Sequence, residues 1–145
     1  MEEIYCFAGN PLDRVSQRRQ DAGWVASLLE DPATRVLPLH GLKPQIRHSS
    51  AAALDWQSVA PWRPLIDSGS TLILLGTREG HAYFALDATS AEVPTGGDGV
   101  LMDARTAAPM IDGGEAAILA EARSLIDWHD RHRFCARCGT PSVVA

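Results

Sequence analysis

The chain has 145 residues, 46% of them hydrophobic and 21% charged, with a formal net charge of −5. That composition suits one compact domain, able to bury on the order of 70% of the surface its unfolded chain exposes, and excludes a disordered chain. No apolar run approaches the roughly 20 residues of a membrane span, the acidic start Met1-Glu2-Glu3 is unlike a secretory signal, and the negative charge argues against a general nucleic-acid-binding surface, so a cytoplasmic protein is expected.

Residues 4–14 start apolar and break at Gly9-Asn10-Pro11, which predicts a short strand or extended arm entering a turn. Residues 16–30 read as a helix capped by Ser16, with Trp24, Leu28 and Leu29 on one side. Asp31-Pro32 stops it, because the residue before a proline avoids the α region. Residues 35–39 predict a strand. Residues 40–50 carry few order signals and read as a loop or an irregular edge strand. Residues 51–59 predict a short helix, and Pro61 and Pro64 bracket a second irregular stretch around Trp62.

The clearest β signal is a hairpin. Residues 71–77 and 81–87 are apolar segments around Arg78-Glu79-Gly80, where Gly80 can take a positive φ. The first arm is apolar on both faces, which predicts a central position in a sheet. Residues 88–99, with Pro94 and three glycines, read as a loop, and residues 100–103 as one more strand. Asp112 and Glu115 then resemble a capping box, in which each side chain satisfies an early backbone N–H. A long helix to about His132 follows, with Ile118, Ala122, Leu125 and Ile126 facing the core and an Asp127–Arg131 pair at i, i+4.

Chemistry concentrates at residues 133–141, Arg-Phe-Cys-Ala-Arg-Cys-Gly-Thr-Pro. Two thiolates two residues apart can bind one metal from a tight turn, and the glycine after the second cysteine lets the backbone bend around the sulfurs. Cys135 and Cys138 are therefore the candidate metal ligands. A redox pair is the rival reading, but such pairs usually open a helix, whose N-terminus lowers the thiol pKa, and this one follows a helix. Two exposed thiols with no metal at all is the third reading. One CxxC is half a site, since structural zinc usually takes four ligands.

The run WHDRHRFCARCGTP, residues 128–141, resembles the signature that joins the N-terminal domain to the zinc ribbon in the bacterial NADH pyrophosphatases of the Nudix hydrolase superfamily. FAGNPLDR at residues 7–14 is similar to that family's opening motif. The helix containing Trp24 and Leu28-Leu29, the hairpin TLILLGTREGHAYFALD and the later MDARTAAPM match in kind and order. The resemblance implies a Nudix-like N-terminal domain over residues 1–132 and the first half of a zinc ribbon over 133–145, with the catalytic Nudix domain lying outside this chain. It implies a homodimeric parent that hydrolyses NADH or NAD+ to nicotinamide mononucleotide and AMP with catalytic Mg2+ or Mn2+, and relatives that also remove NAD caps from RNA. Of the residues here, only Cys135 and Cys138 carry over, as the first two ligands of a structural Zn2+.

One departure decides the expected activity. A Nudix box needs a glycine, a glutamate six residues later and an Arg-Glu-x-x-Glu-Glu block, whose clustered carboxylates hold the metals. No glycine of this chain begins that pattern, so no catalytic residue is assigned and the chain alone is expected to be inactive. Glu115, Glu121, Asp127 and Asp130 read as caps and solvated ion pairs. Gly96-Gly97-Asp98-Gly99 lacks the strand–turn–helix context of a dinucleotide fingerprint. His129 and His132 lie near Cys135 in sequence but suit a helix C-terminus, where a cation meets the dipole favourably. His40, His48 and His81 pair with no visible nucleophile. Cys6 reads as a small core residue, the four tryptophans as core and interface anchors, and Arg18-Arg19 and Arg131/Arg133 as solvated surface.

The expected fold is α+β, a mostly antiparallel sheet flanked by helices. The leading functional reading is a scaffold or dimerisation domain of an NAD(H) diphosphatase. The alternatives are a free-standing zinc-dependent interaction module and, third, a thiol-redox protein.

Overall fold

The computed structural model describes Tyr5 and residues 7–143; the reading of Cys6 as a core residue falls outside them. Its elements are α1 (Ala22–Leu28), β1 (Arg35–Leu39), β2 (Gln45–His48), β3 (Ala52–Leu54), β4 (Gln57–Ser58), a 3-10 turn (Ala60–Trp62), α2 (Arg63–Asp67), β5 (Leu72–Arg78), β6 (His81–Asp87), β7 (Gly99–Leu101), α3 (Ala104–Ala107) and α4 (Gly113–Arg131). The strands form a four-stranded sheet, β4-β1-β6-β5, and a three-stranded sheet, β3-β2-β7. All pairings are antiparallel except that of β1 with β6. The expected α+β class with mostly antiparallel sheets is what the chain adopts.

Alternation along the strands splits the core in two. Leu37 and Leu39 of β1, Ile73 and Leu75 of β5 and Ala85 of β6 face α4, together with Ile46 and Leu54 of the small sheet. Val36, Leu74, Phe84 and Leu86 face the other way, towards Val59, Trp62 and the half-buried side chains of α1 and α2. Pro38 sits in the middle of β1 without an N–H to donate. It is tolerated because β4 pairs with β1 only at Arg35 and Val36, so no antiparallel partner lies opposite it.

The hairpin forms as expected, with Arg78 opposite His81. Its loop is only two residues, Glu79 (φ +52) and Gly80 (φ +79). Both φ values are positive, as in the type I′ turn that matches the strands' twist. The expected central place of β5 is not found: it is an edge strand. It reads as central because the sheet is covered on both faces. Its free edge is protected instead by the N-terminal segment. Asp13 and Thr77 exchange backbone hydrogen bonds of 2.9 and 2.8 Å, and Arg19 donates to the Leu75 carbonyl at 3.1 Å. At Gly76 a Cβ would lie 2.4 Å from the Asp13 carbonyl oxygen, so only glycine allows this approach.

Four further expectations are corrected. The first helix begins at Ala22, where Asp21 accepts from the Trp24 N–H at 3.0 Å; residues 16–20 are turns, and Ser16 caps nothing. Residues 51–59 hold β3 and β4 rather than a helix. Residues 40–50 hold β2, which is central in the small sheet. Around Trp62 the chain is helical, with Pro61 and Pro64 each in a first turn, where the missing N–H costs nothing.

α4 starts as the sequence predicts, with Asp112 accepting from the Gly114 N–H at 2.9 Å. Glu115 does not close a capping box. Its Oε2 accepts instead from the Leu54 N–H at 3.0 Å, tying the helix to β3. Ile118, Ala122 and Ile126 are buried along the predicted face, with Leu125 packed at its margin.

Candidate functional site: the cysteine turn and the end of α4

Helix α4 ends at His132, whose φ of −115° and ψ of 50° leave the helical region. The chain then folds back on itself. Phe134 pairs with Pro141, Cys135 N–H donates to the Thr140 carbonyl at 2.8 Å, and Gly139 N–H donates to the Cys135 carbonyl at 2.9 Å. Gly139 takes φ +70°, a left-handed conformation that costs a glycine little. The turn is tied to the helix end as well. Ser142 donates through its N–H to the Arg133 carbonyl at 2.8 Å and through its hydroxyl to the His132 carbonyl. Arg133 pairs with Asp130.

Cys135 and Cys138 are brought together at this turn, both exposed and both free thiols. Cys138 Sγ lies 3.2 Å from Thr140 Oγ1. Hydrogen bonding by the Thr140 hydroxyl, then by its backbone and by the Cys135 side chain, holds the Cys138 thiol below its ordinary pKa. A thiolate stabilised in this way is the form that binds a metal. The donor set suits zinc in kind and supplies two of the usual four ligands. Among the described residues, no three His, Cys, Asp or Glu side chains are gathered where they could hold one ion.

The neighbouring histidines are engaged elsewhere. His132 stacks on Trp128, with ring centroids 4.3 Å apart and planes 13° from parallel, and its Nδ1 lies 2.7 Å from the Trp128 carbonyl oxygen. His129 meets the same indole edge-on at 5.0 Å, and its pKa is lowered by partial burial and then by His132. Among the described residues Trp128 joins neither core cluster and is 53% exposed, unlike Trp62, which is 7% exposed.

The carboxylates of α4 are spread around the helix and committed. Glu115 holds Leu54. Glu121 accepts from Asn10 Nδ2 at 2.8 Å and meets Arg14 Nε at 3.2 Å. Asp127 pairs with Arg131 at 2.9 Å, and Asp130 with Arg133. The described residues therefore do not fit a catalytic divalent cation, and no hydrolytic step is derived from them. Of the remaining histidines, His40 is buried, whereas His48 and His81 are exposed.

Sequence reasoning missed two contributors. Glu121 works through residues more than a hundred positions earlier, which spacing cannot reveal. Thr140 acts on Cys138 from two residues away, a separation at which its hydroxyl could have been suspected.

Residues 33–128 match the family model described as the NADH pyrophosphatase-like rudimentary NUDIX domain. The chain is also similar to an NAD-capped RNA hydrolase of Schizosaccharomyces pombe, 24% identical over an alignment that covers 94% of this chain and 46% of that protein. It is 34% identical to the mitochondrial NAD(P)H pyrophosphatase NUDT13 of Homo sapiens over 48% of this chain and 24% of that protein. The chain thus spans less than half the length of either relative.

Proposed function

The chain belongs to the NADH pyrophosphatase-like rudimentary NUDIX domains, and from that premise we propose that it is the non-catalytic body of an enzyme hydrolysing the diphosphate of NAD(H). In this reading the enzyme releases nicotinamide mononucleotide and AMP, and NAD-capped RNA is a second substrate, in keeping with the name of the fission yeast relative. Mg2+ or Mn2+ acts in a catalytic domain outside these 145 residues. Cys135 and Cys138 hold half of a structural zinc site, and the body supports a homodimer.

The observation that carries this reading is the commitment of every α4 carboxylate to the fold. Hydrolysis of a phosphoanhydride calls for several carboxylates converging on metal ions. Here Glu115, Glu121, Asp127 and Asp130 each bind a different partner, and the sequence has no Nudix box. The zinc assignment draws on the closed backbone of the turn and the acidified Cys138 thiol. What bound zinc would supply is a rigid crosslink; the chain's own part is to present two sulfurs at the end of α4.

Purified chain incubated with NADH and Mg2+ or Mn2+ is expected to release no AMP. EDTA-sensitive AMP release that persists in the pure protein overturns the proposal.

A further inference from the structure

An apolar groove of about 520 Å³ opens between α1 and the hairpin. Val25, Ala26 and Leu29 form one wall, and Leu72, Leu74 and Phe84 the other. It exists because α1 stands off the sheet: none of its residues is fully buried, and the small Ala26 leaves space where a longer side chain would fill it. Arg19 and Gln20 are its polar lining.

Arg19 is short of negative charge. Its Nε donates to the Arg14 carbonyl at 2.6 Å and one Nη to the Leu75 carbonyl at 3.1 Å, both neutral acceptors. Among the described residues it forms no ion pair with a carboxylate. Arg14 adds a like charge nearby, and burial and that charge both lower the Arg19 pKa, with only Glu121 opposing. Glu121 is itself held by Arg14 and Asn10. A half-buried guanidinium in this position gains from an anion, and guanidinium–carboxylate hydrogen bonds are among the stronger ones available. Ligand pockets commonly combine mostly apolar walls with a few placed polar groups.

We infer that this groove binds a small amphipathic carboxylate, with its apolar chain between α1 and β5 and its anionic head at Arg19. The groove shares no lining residue with the cysteine turn, and the inference does not depend on the diphosphatase reading.

The test is calorimetric titration of the full chain with octanoate and with octanamide, which keeps the chain and removes the charge. Octanoate is expected to bind at least tenfold more tightly. Affinity is expected to rise about fourfold per added methylene from hexanoate to octanoate, the increment for burying one such group. Ala26→Trp fills the groove from an exposed position on α1 and should abolish binding of both compounds while leaving the thermal melt unchanged. Arg19→Gln should erase the preference for the acid. Equal affinity for octanoate and octanamide overturns the inference, as does undiminished binding to a folded Ala26→Trp variant. So does a dimer that Ala26→Trp dissociates while octanoate fails to bind, since the groove then takes a second copy of the chain.

Discussion

Asn10 Nδ2 donates to Glu121 Oε2 at 2.8 Å across 111 positions of sequence. The contact fastens the N-terminal segment to the middle of α4, and Arg14 meets the other oxygen of the same carboxylate at 3.2 Å. The Glu121 side chain is only 10% exposed, so its loss leaves the Asn10 amide without its acceptor and the Arg14 guanidinium without its counter-charge. Glu121→Ala is expected to destabilise the fold by about 1–3 kcal/mol, and Glu121→Gln by less, because it keeps an acceptor for Asn10. Urea denaturation of the two variants checks the order.

Gly76→Ala should be the most damaging small substitution near the hairpin. The added methyl would lie 2.4 Å from the Asp13 carbonyl oxygen and 2.9 Å from Leu12 Cβ. Backbone must move to relieve the first clash, at a cost of about 3 kcal/mol. The Asp13–Thr77 hydrogen bonds should then open. Faster hydrogen exchange at those two amides is the expected sign; unchanged exchange would mean that the strand edge adapts.

His40 sets an acid limit. It is 7% exposed, and burial lowers its pKa from the usual 6.5, with the Ala91 and Ala88 backbones and Asp87 acting in the opposite direction. The unfolded chain therefore binds a proton at a higher pH than the folded one. Stability from this residue is complete above about pH 6.5 and falls as the pH drops from there towards the depressed folded value. His40→Phe should flatten the difference between denaturation midpoints measured at pH 7.5 and 5.5. An unaltered pH dependence would assign the acid sensitivity to other groups.

The cysteine turn should be dispensable for the core. Residues 131–143 are exposed throughout, so Cys135→Ser and Cys138→Ser are expected to change stability by no more than about 0.5 kcal/mol. Iodoacetamide should label both thiols without denaturant. With two donors gathered, zinc should be lost on dialysis; stoichiometric zinc by elemental analysis would point to ligands shared between chains.

Local chemistry was readable and long-range pairing was not. Asp112 announces α4, Gly80 the hairpin turn, and Cys-x-x-Cys-Gly the backbone reversal at 135–139, because each acts within a few residues. Ser16 misled because a potential cap matters only if helix follows it, and the segment behind it is held in turns by Arg19 bonding to Arg14 and Leu75. Residues 51–59 read as a short helix, with Leu54 and Trp56 on different sides, but Leu54 is claimed by β2 on one side and by Glu115 on the other. β5 looked central because two apolar faces reveal burial and say nothing of which edge is free. The candidate ligands were legible as a pair, whereas the clamp at Glu121 needed the fold.

α4 has consequences for motion at its far end. Its 19 residues make a rod of about 28 Å, with its root fixed by Glu115 to β3 and its middle by Glu121 to the N-terminal segment. Anything mounted on the cysteine turn rides on this lever. One degree of pivot at the root sweeps the tip by about 0.5 Å over that length. A loosened fastening deep in the body would therefore be felt most by whatever the two sulfurs grip.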